Sequence, residues 1–265
     1  MINYEDNYIL YDENECFELA LFSTIGNRSE QQDRVGYELR DRAGLIVLCD
    51  GMGGHDGGQL ASNMAVETFV TAYRFWNADT SPQQFLFQTL EDIDRKISRL
   101  KHMDNSRMQA GSTASAVLLE EKKLSWASVG DSRIYVLRKD EFIQVTEDHN
   151  YKMVLDKKRK QGSITEEAYQ AEMAKGNVLV SFVGINGIPY VENNASPLQL
   201  LGGDMVVLMS DGIYKLVSDI ELKTILKQPC SMEEILKKMY AKTQKNAADK
   251  NMKQDNISIA IIKIR

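Results

Sequence analysis

The 265-residue chain is short of cysteine, histidine and proline, and each shortage narrows what the protein can be. Its three cysteines, Cys16, Cys49 and Cys230, are odd in number and far apart. They suggest neither a disulfide framework nor a zinc site, and fit reduced core thiols in a cytoplasmic protein. The residues six positions after them are Phe22, His55 and Leu236, never arginine, so the cysteine-nucleophile phosphatase pattern is absent. The histidines, His55, His102 and His149, have no metal-ligand spacing to the cysteines. With four prolines and no Gly/Ser-rich linker, the chain reads as one domain over residues 1–265. There is no basic surplus, since the net charge is −6, which speaks against nucleic acid as partner. No apolar run approaches the roughly 20 residues of a membrane span. Met1–Asp6 has no basic stretch leading into an apolar run, so no secretory signal or membrane association is expected. The glycine-rich stretch 51–58 fails the dinucleotide pattern because Asp56 stands at its last position, and no Gly-Lys-Ser/Thr follows.

What is present is enough apolar residue, 43%, for a sizeable core. Continuous or alternating apolar runs predict strands at 16–24, 35–39, 44–49, 205–209 and 257–264. A further strand is expected at 177–184. Apolar residues at three-to-four spacing predict helices over 59–76 and 82–103, the second ending at His102, and over 218–227 and 231–246. Four short strands at 115–119, 124–129, 133–137 and 141–145 read as an antiparallel meander. Residues 150–176 are polar and weakly helical. Within them Lys157-Lys158-Arg159-Lys160 reads as a solvated helix face. Helix pairs early and late with hairpin-linked strands between them favour an α+β sandwich over a parallel sheet.

Four aspartates share one kind of place. Asp50, Asp131 and Asp211 each end an apolar run, and Asp255 precedes one. Each sits at the rim of the core, where an isolated charge is costly unless paired. A divalent cation would pair several at once, and oxygen ligands suit magnesium and manganese. Read singly, each is as easily a turn or cap aspartate, since Asp50 and Asp211 are followed by glycine.

Seven segments stand in order along the chain: Gly26-Asn27-Arg28-Ser29-Glu30-Gln31-Gln32-Asp33, Cys49-Asp50-Gly51-Met52-Gly53-Gly54-His55, Gly111-Ser112-Thr113-Ala114, Gly130-Asp131-Ser132-Arg133, Thr146-Glu147-Asp148-His149, Ser210-Asp211-Gly212-Ile213 and Asp255-Asn256-Ile257-Ser258. Together they resemble the PPM family, the type 2C metal-dependent Ser/Thr protein phosphatases, and its bacterial branch in particular. The resemblance spans the chain from about Ser23 onward. It implies an α-β-β-α sandwich of two antiparallel sheets flanked by helix pairs. It implies two divalent cations, Mn2+ or Mg2+, bridged by Asp50, with the Gly51 carbonyl helping to hold one and Asp211 and Asp255 completing the other. Asp33 acts through bound water, and Asp131 belongs to a third, weaker metal site. Arg28 grips the substrate phosphate, Thr113 and His149 support the site, and 150–176 is a flap beside it. The expected activity is hydrolysis of phosphoserine and phosphothreonine by a water that the cations activate, on proteins phosphorylated by a Ser/Thr kinase.

The chain departs from the family pattern in three places. Gln31 stands where asparagine is usual, Met52 where animal members carry histidine, and Val180-Ser181 where bacterial members often have Thr-Arg. His55, three residues beyond Met52, is not assigned as general acid. The rival expectation is a catalytically inactive relative that binds phosphoproteins or scaffolds a kinase. The intact aspartate set favours the enzyme.

Overall fold

The computed structural model describes residues 1–77 and 79–265, apart from the side chains of His55 and Asp56. In chain order the elements are β1 (Tyr8–Glu13), β2 (Phe17–Thr24), β3 (Asp33–Arg40), β4 (Ala43–Met52), α1 (Gly54–Phe75), α2 (Pro82–Ile97), β5 (Gly111–Ser112), β6 (Ala114–Glu120), β7 (Lys123–Val129), β8 (Arg133–Arg138) and β9 (Glu141–Gln144). There follow α3 (Tyr151–Lys160), α4 (Glu166–Glu172), β10 (Glu192–Asn193), β11 (Leu198–Gln199), β12 (Met205–Met209), α5 (Asp211–Tyr214), α6 (Asp219–Leu226), α7 (Met232–Asp249) and β13 (Ile257–Ile264).

The strands form two antiparallel sheets. One runs β1-β2-β13-β12-β8-β9; the other runs β10-β7-β6-β4-β3, with β5 on β4 and β11 on β7. Side-chain alternation along each strand builds three apolar layers. Ile46 and Leu48 of β4 meet Leu208 of β12 and Ala260 of β13 between the sheets. Leu45, Val47 and Cys49 of β4 point the other way, onto Val66 and Phe69 of α1 and Leu90 and Ile93 of α2. Val207 and Met209 of β12 pack beneath Leu222 of α6 and Leu236 and Met239 of α7. The result is the expected α-β-β-α sandwich. No helix among the described residues is long and apolar enough to cross a membrane.

Three expectations need correction. The strands at 115–145 are not one meander: β6 and β7 pair in one sheet, β8 and β9 in the other, and the turn Gly130-Asp131-Ser132 crosses between them. Gly130 has φ +100°, and a Cβ there would meet the Thr113 side chain at 2.6 Å. The second long helix ends at Ile97, so His102 lies exposed beyond it. Leu100 still packs on the helix-side core, which carries the apolar period past the helix end. Residues 177–184 make isolated bridges, Asn150 with Leu179 and Ser112 with Val183, rather than a strand. Val180 and Val183 donate to the single carbonyls of His149 and Ser112, and the chain then turns at Gly184 (φ +102°), from where N–H groups go to a side chain. Gly184 and Asn186 donate to Asp94 Oδ1 and Gly187 to Asp94 Oδ2, at 2.6–3.1 Å.

Candidate active site

At one end of the sandwich the apolar filling between the sheets gives way to polar groups. Val35 and Tyr37 of β3 face the inter-sheet core, so two-residue alternation points Asp33 the same way. By the same parity Asp50 follows Ile46 and Leu48, and the two aspartates are direct cross-strand partners. From the opposite sheet Ser210 and Ser258 continue the inward faces of β12 and β13. Ser210 Oγ donates to Asp33 Oδ2 at 2.7 Å, and the Ser258 N–H donates to Ser210 Oγ at 3.0 Å. Ser23 and Ser258 share a hydroxyl hydrogen bond of 3.0 Å. Gln31, one of the departures from the family pattern, is buried here. Its Nε2 donates to Ser23 Oγ at 3.1 Å, and its Oε1 accepts the Asp33 N–H at 3.1 Å. Asp33 is 1% exposed, and its Oδ1 has no hydrogen-bond partner. Burial pushes its carboxyl up to about 7; the Ser210 hydroxyl pulls it back, and the charges of Asp211 and Asp255 push it further.

Asp50 is pinned by its backbone. Its N–H donates to Thr113 Oγ1 at 2.8 Å, and its carbonyl accepts the Thr113 N–H at 2.8 Å and Ser112 Oγ at 3.0 Å. Thr113 Oγ1 also shares a 2.8 Å hydrogen bond with Ser132, so one hydroxyl ties Asp50 to the turn that carries Asp131. His149 holds the same turn: its Nδ1 accepts the Gly130 N–H at 3.2 Å, and its own N–H donates to the Gly130 carbonyl at 2.9 Å. Burial pulls the His149 imidazole down to about 4, so it is neutral at pH 7. Gly51 must be glycine, because a Cβ there would meet the Gly58 carbonyl oxygen at 2.1 Å.

The other aspartates arrive on loops. Asp211 opens α5 and pairs with Lys215, four residues on. Asp255, just before β13, accepts Arg28 Nη2 at 2.6 Å and the Asn256 N–H at 2.8 Å. Asn256 ties the Arg28 loop to this point: its Oδ1 accepts the Gln32 N–H at 2.8 Å, and its Nδ2 donates to the carbonyls of Ile25 and Glu30 at 2.9 and 3.0 Å.

Six of the seven residues singled out from the sequence, Arg28, Asp50, Gly51, Asp131, Asp211 and Asp255, line one cleft of about 580 Å³. Asp33, the seventh, lies buried beside Asp50 rather than on the wall. The side chain of His55 lies outside the described residues. Burial pushes the Asp50 carboxyl well above its ordinary value, and the charges of Asp33, Asp211, Asp131 and Asp255 push it the same way. Asp131 is pushed up to about 6 by burial and by Asp211, against the opposing Lys215 charge and the Tyr214 hydroxyl.

Clustered, mutually repelling carboxylates with an unpartnered buried oxygen are a donor set for hard divalent cations. No three His, Cys, Asp or Glu residues among the described residues form a ready-made cage. Magnesium-type ions do not need one, since they take one or two carboxylates and keep several waters. The residues therefore fit such ions.

The family model for Protein phosphatase 2C matches residues 23–255. The chain belongs to the protein phosphatase 2C family. It is 27% identical over 239 residues to the serine/threonine phosphatase stp of Listeria innocua, covering 89% of this chain and 90% of that protein. The serine/threonine phosphatase of S. agalactiae superposes with a TM-score of 0.78 at 27% identity, over 94% of this chain and 100% of that one. The catalytic domain of PstP, in complex with two manganese ions, shares the fold with a TM-score of 0.73 at 23% identity, over 94% of this chain and 98% of that one. By family this chain is a protein phosphatase and a hydrolase, of the bacterial branch.

Sequence reasoning passed over two groups on this phosphatase's cleft wall, Lys215 and Asn256. Lys215 had a signal: an acid followed four residues later by lysine pairs on a helical turn. Asn256 stands within one of the seven segments, but its role there, joining segments more than two hundred residues apart, leaves no local pattern.

Proposed function

We propose that this protein phosphatase hydrolyses phosphoserine and phosphothreonine in other proteins, using two divalent cations, manganese or magnesium, held at the cleft. The observation that carries this reading is the convergence of Asp50, Asp211 and Asp255 with Arg28 on one cleft wall. The manganese seen in PstP agrees with it. Asp50, the Gly51 carbonyl, Asp211 and Asp255 hold the ions, and Asp33 offers its free Oδ1 to a water of the site. The ions, when bound, lower the pKa of a water and offset phosphoryl charge. Arg28 spends one N–H on Asp255 Oδ2, and its remaining donors are available to two phosphate oxygens. That contact would hold a phosphate group within the cleft that the aspartates line. Asp131 faces the same space and adds negative charge to it.

On this reading residues 1–265 are one catalytic domain, 150–176 is the flap that meets the protein substrate, and the enzyme reverses a Ser/Thr kinase in the cytoplasm. The test is phosphate release from a phosphothreonine peptide with manganese, with magnesium and with chelator. Release with either metal and none with chelator is expected. Full release under chelation, or none under any condition, would overturn the proposal.

A further inference from the structure

The acidic cleft holds a cation of its own beside Asp131. Lys215 lines the cleft and pairs with Asp211. Its ammonium also faces the charges of Asp131 and Asp50 across the cleft. Asp131 in turn faces the Tyr214 hydroxyl at the end of α5 and the charge of Lys215 directly after it. Tyr214 is braced by its neighbours. The Arg133 guanidinium lies 3.6 Å over the Tyr214 ring and donates to both oxygens of Asp148, at 2.7 and 2.9 Å. Tyr135, which accepts from Arg133 Nη1 at 3.0 Å, donates to Asp219 at 3.1 Å. The charge of the Asp131–Asp211 pair is therefore answered by an ammonium paired with Asp211. A divalent ion there would have to displace, or sit against, an ammonium.

We propose that Lys215 is the resident cation of the Asp131–Asp211 side of the cleft and takes the place of a third metal ion, so that this phosphatase works with two ions. This rests on the proposed metal-dependent function. It differs from what the family resemblance implied for Asp131. A lysine side chain cannot dissociate, so this part of the site should be insensitive to metal concentration.

The experiment counts manganese bound per chain by equilibrium dialysis up to millimolar metal, for the wild type, Asp131→Asn, Lys215→Asp and Lys215→Met. Two ions are expected in the wild type and two in Asp131→Asn. Three are expected in Lys215→Asp, where the ammonium is replaced by a third carboxylate. Lys215→Met, which removes the charge at similar length, should also admit the third ion, more weakly, and serves if Lys215→Asp does not fold. Three ions in the wild type, falling to two in Asp131→Asn, would overturn the inference. So would a count that stays at two in both lysine variants. No bound ions in the wild type would overturn the metal-dependent function and this inference together, a result distinct from three.

Discussion

The floor of the cleft and the segment beside its mouth are built on opposite terms. On the floor, Asp33 and Asp50 sit in paired strands directly above the inter-sheet core, and Thr113, Ser210 and Ser258 around them are at most 1% exposed. Beside the mouth, α3 carries Lys157, Lys158, Arg159 and Lys160 into solvent, and Val178 is 60% exposed. Residues 177–187 reach the body through the Asn150–Leu179 and Ser112–Val183 bridges, the buried Val183 side chain and the Asp94 carboxylate. A ladder-bound, buried site is precise because its neighbours have nowhere to go. A polar, exposed segment can change with little cost to the fold. The difference teaches that chemistry belongs to the floor and variation to the mouth. The departure Val180-Ser181 is an exception within that segment: Ser181 is buried and turned inward, where its Oγ donates to the Tyr190 carbonyl at 2.7 Å and accepts the Tyr190 N–H at 3.1 Å.

The sharpest way to break this comparison is at Asp50. Asp50→Asn should lower turnover on a phosphothreonine peptide more than about a hundredfold, since it removes the charge shared by the ion site. The same change relieves repulsion from Asp33, Asp131, Asp211 and Asp255, so its melting temperature in chelator should rise. Loss of both activity and stability would mean that Asp50 is a structural residue.

Arg28→Ala comes next. Hydrogen bonds to charged groups contribute roughly 1.5–3 kcal/mol, so a tenfold to hundredfold rise in Michaelis constant is expected, on the order of that energy. Arg28→Lys should recover part of it, because an ammonium lacks the planar fork. Manganese affinity, measured by calorimetry, should tighten in Arg28→Ala, because a competing cation leaves Asp255. Unchanged kinetics would make Arg28 a surface residue.

The His149 support is tested by pH. Its folded pKa of about 4 lies below the unfolded value of 6.5, so the unfolded chain binds the extra proton in between. The stability it contributes is present above about pH 6.5 and is lost as pH falls toward 4, by at most about 3 kcal/mol. Asp33 and Asp131, with raised values, act in the opposite direction, so the readout is a difference. His149→Asn, which keeps a short acceptor for the Gly130 N–H, should lose less stability than the wild type between pH 7.5 and 5 in urea titrations. Equal losses would remove His149 from the account.

At the mouth the expected effect is smallest. Lys158→Ala should change unfolding free energy by less than about 0.5 kcal/mol. A larger loss in denaturant melts would show that the outer face of α3 holds the fold and would blur the contrast with the floor.

Much of this was legible in the sequence, for local reasons. β12 and β13 were placed to the residue because a buried run bounded by polar residues has one reading. The seven ordered motifs pointed to the sheet architecture and to the residues on the cleft wall. The failures were also physical. The period of α2 ran on to Leu100 because a residue past a helix end can still pack on the core that the helix covers. The apolar run at 177–184 looked like a strand, yet it makes only two isolated bridges, and Asp94, some ninety residues earlier, takes the Gly184 N–H where the chain turns away.

By itself, then, the sequence determined which segments bury which faces, since alternation and helical period are properties of neighbouring residues. It also determined that carboxylates stand where buried runs meet loops. The tertiary structure alone decided that the turn after β7 crosses between sheets, carrying Asp131 to the same cleft as Asp50. It alone decided that Gln31 closes a hydrogen-bond chain to Asp33, and that Lys215 and Arg28 each answer a different aspartate. Those facts depend on where two sheets end relative to each other. That relation is set by packing across the core, between residues far apart in the chain.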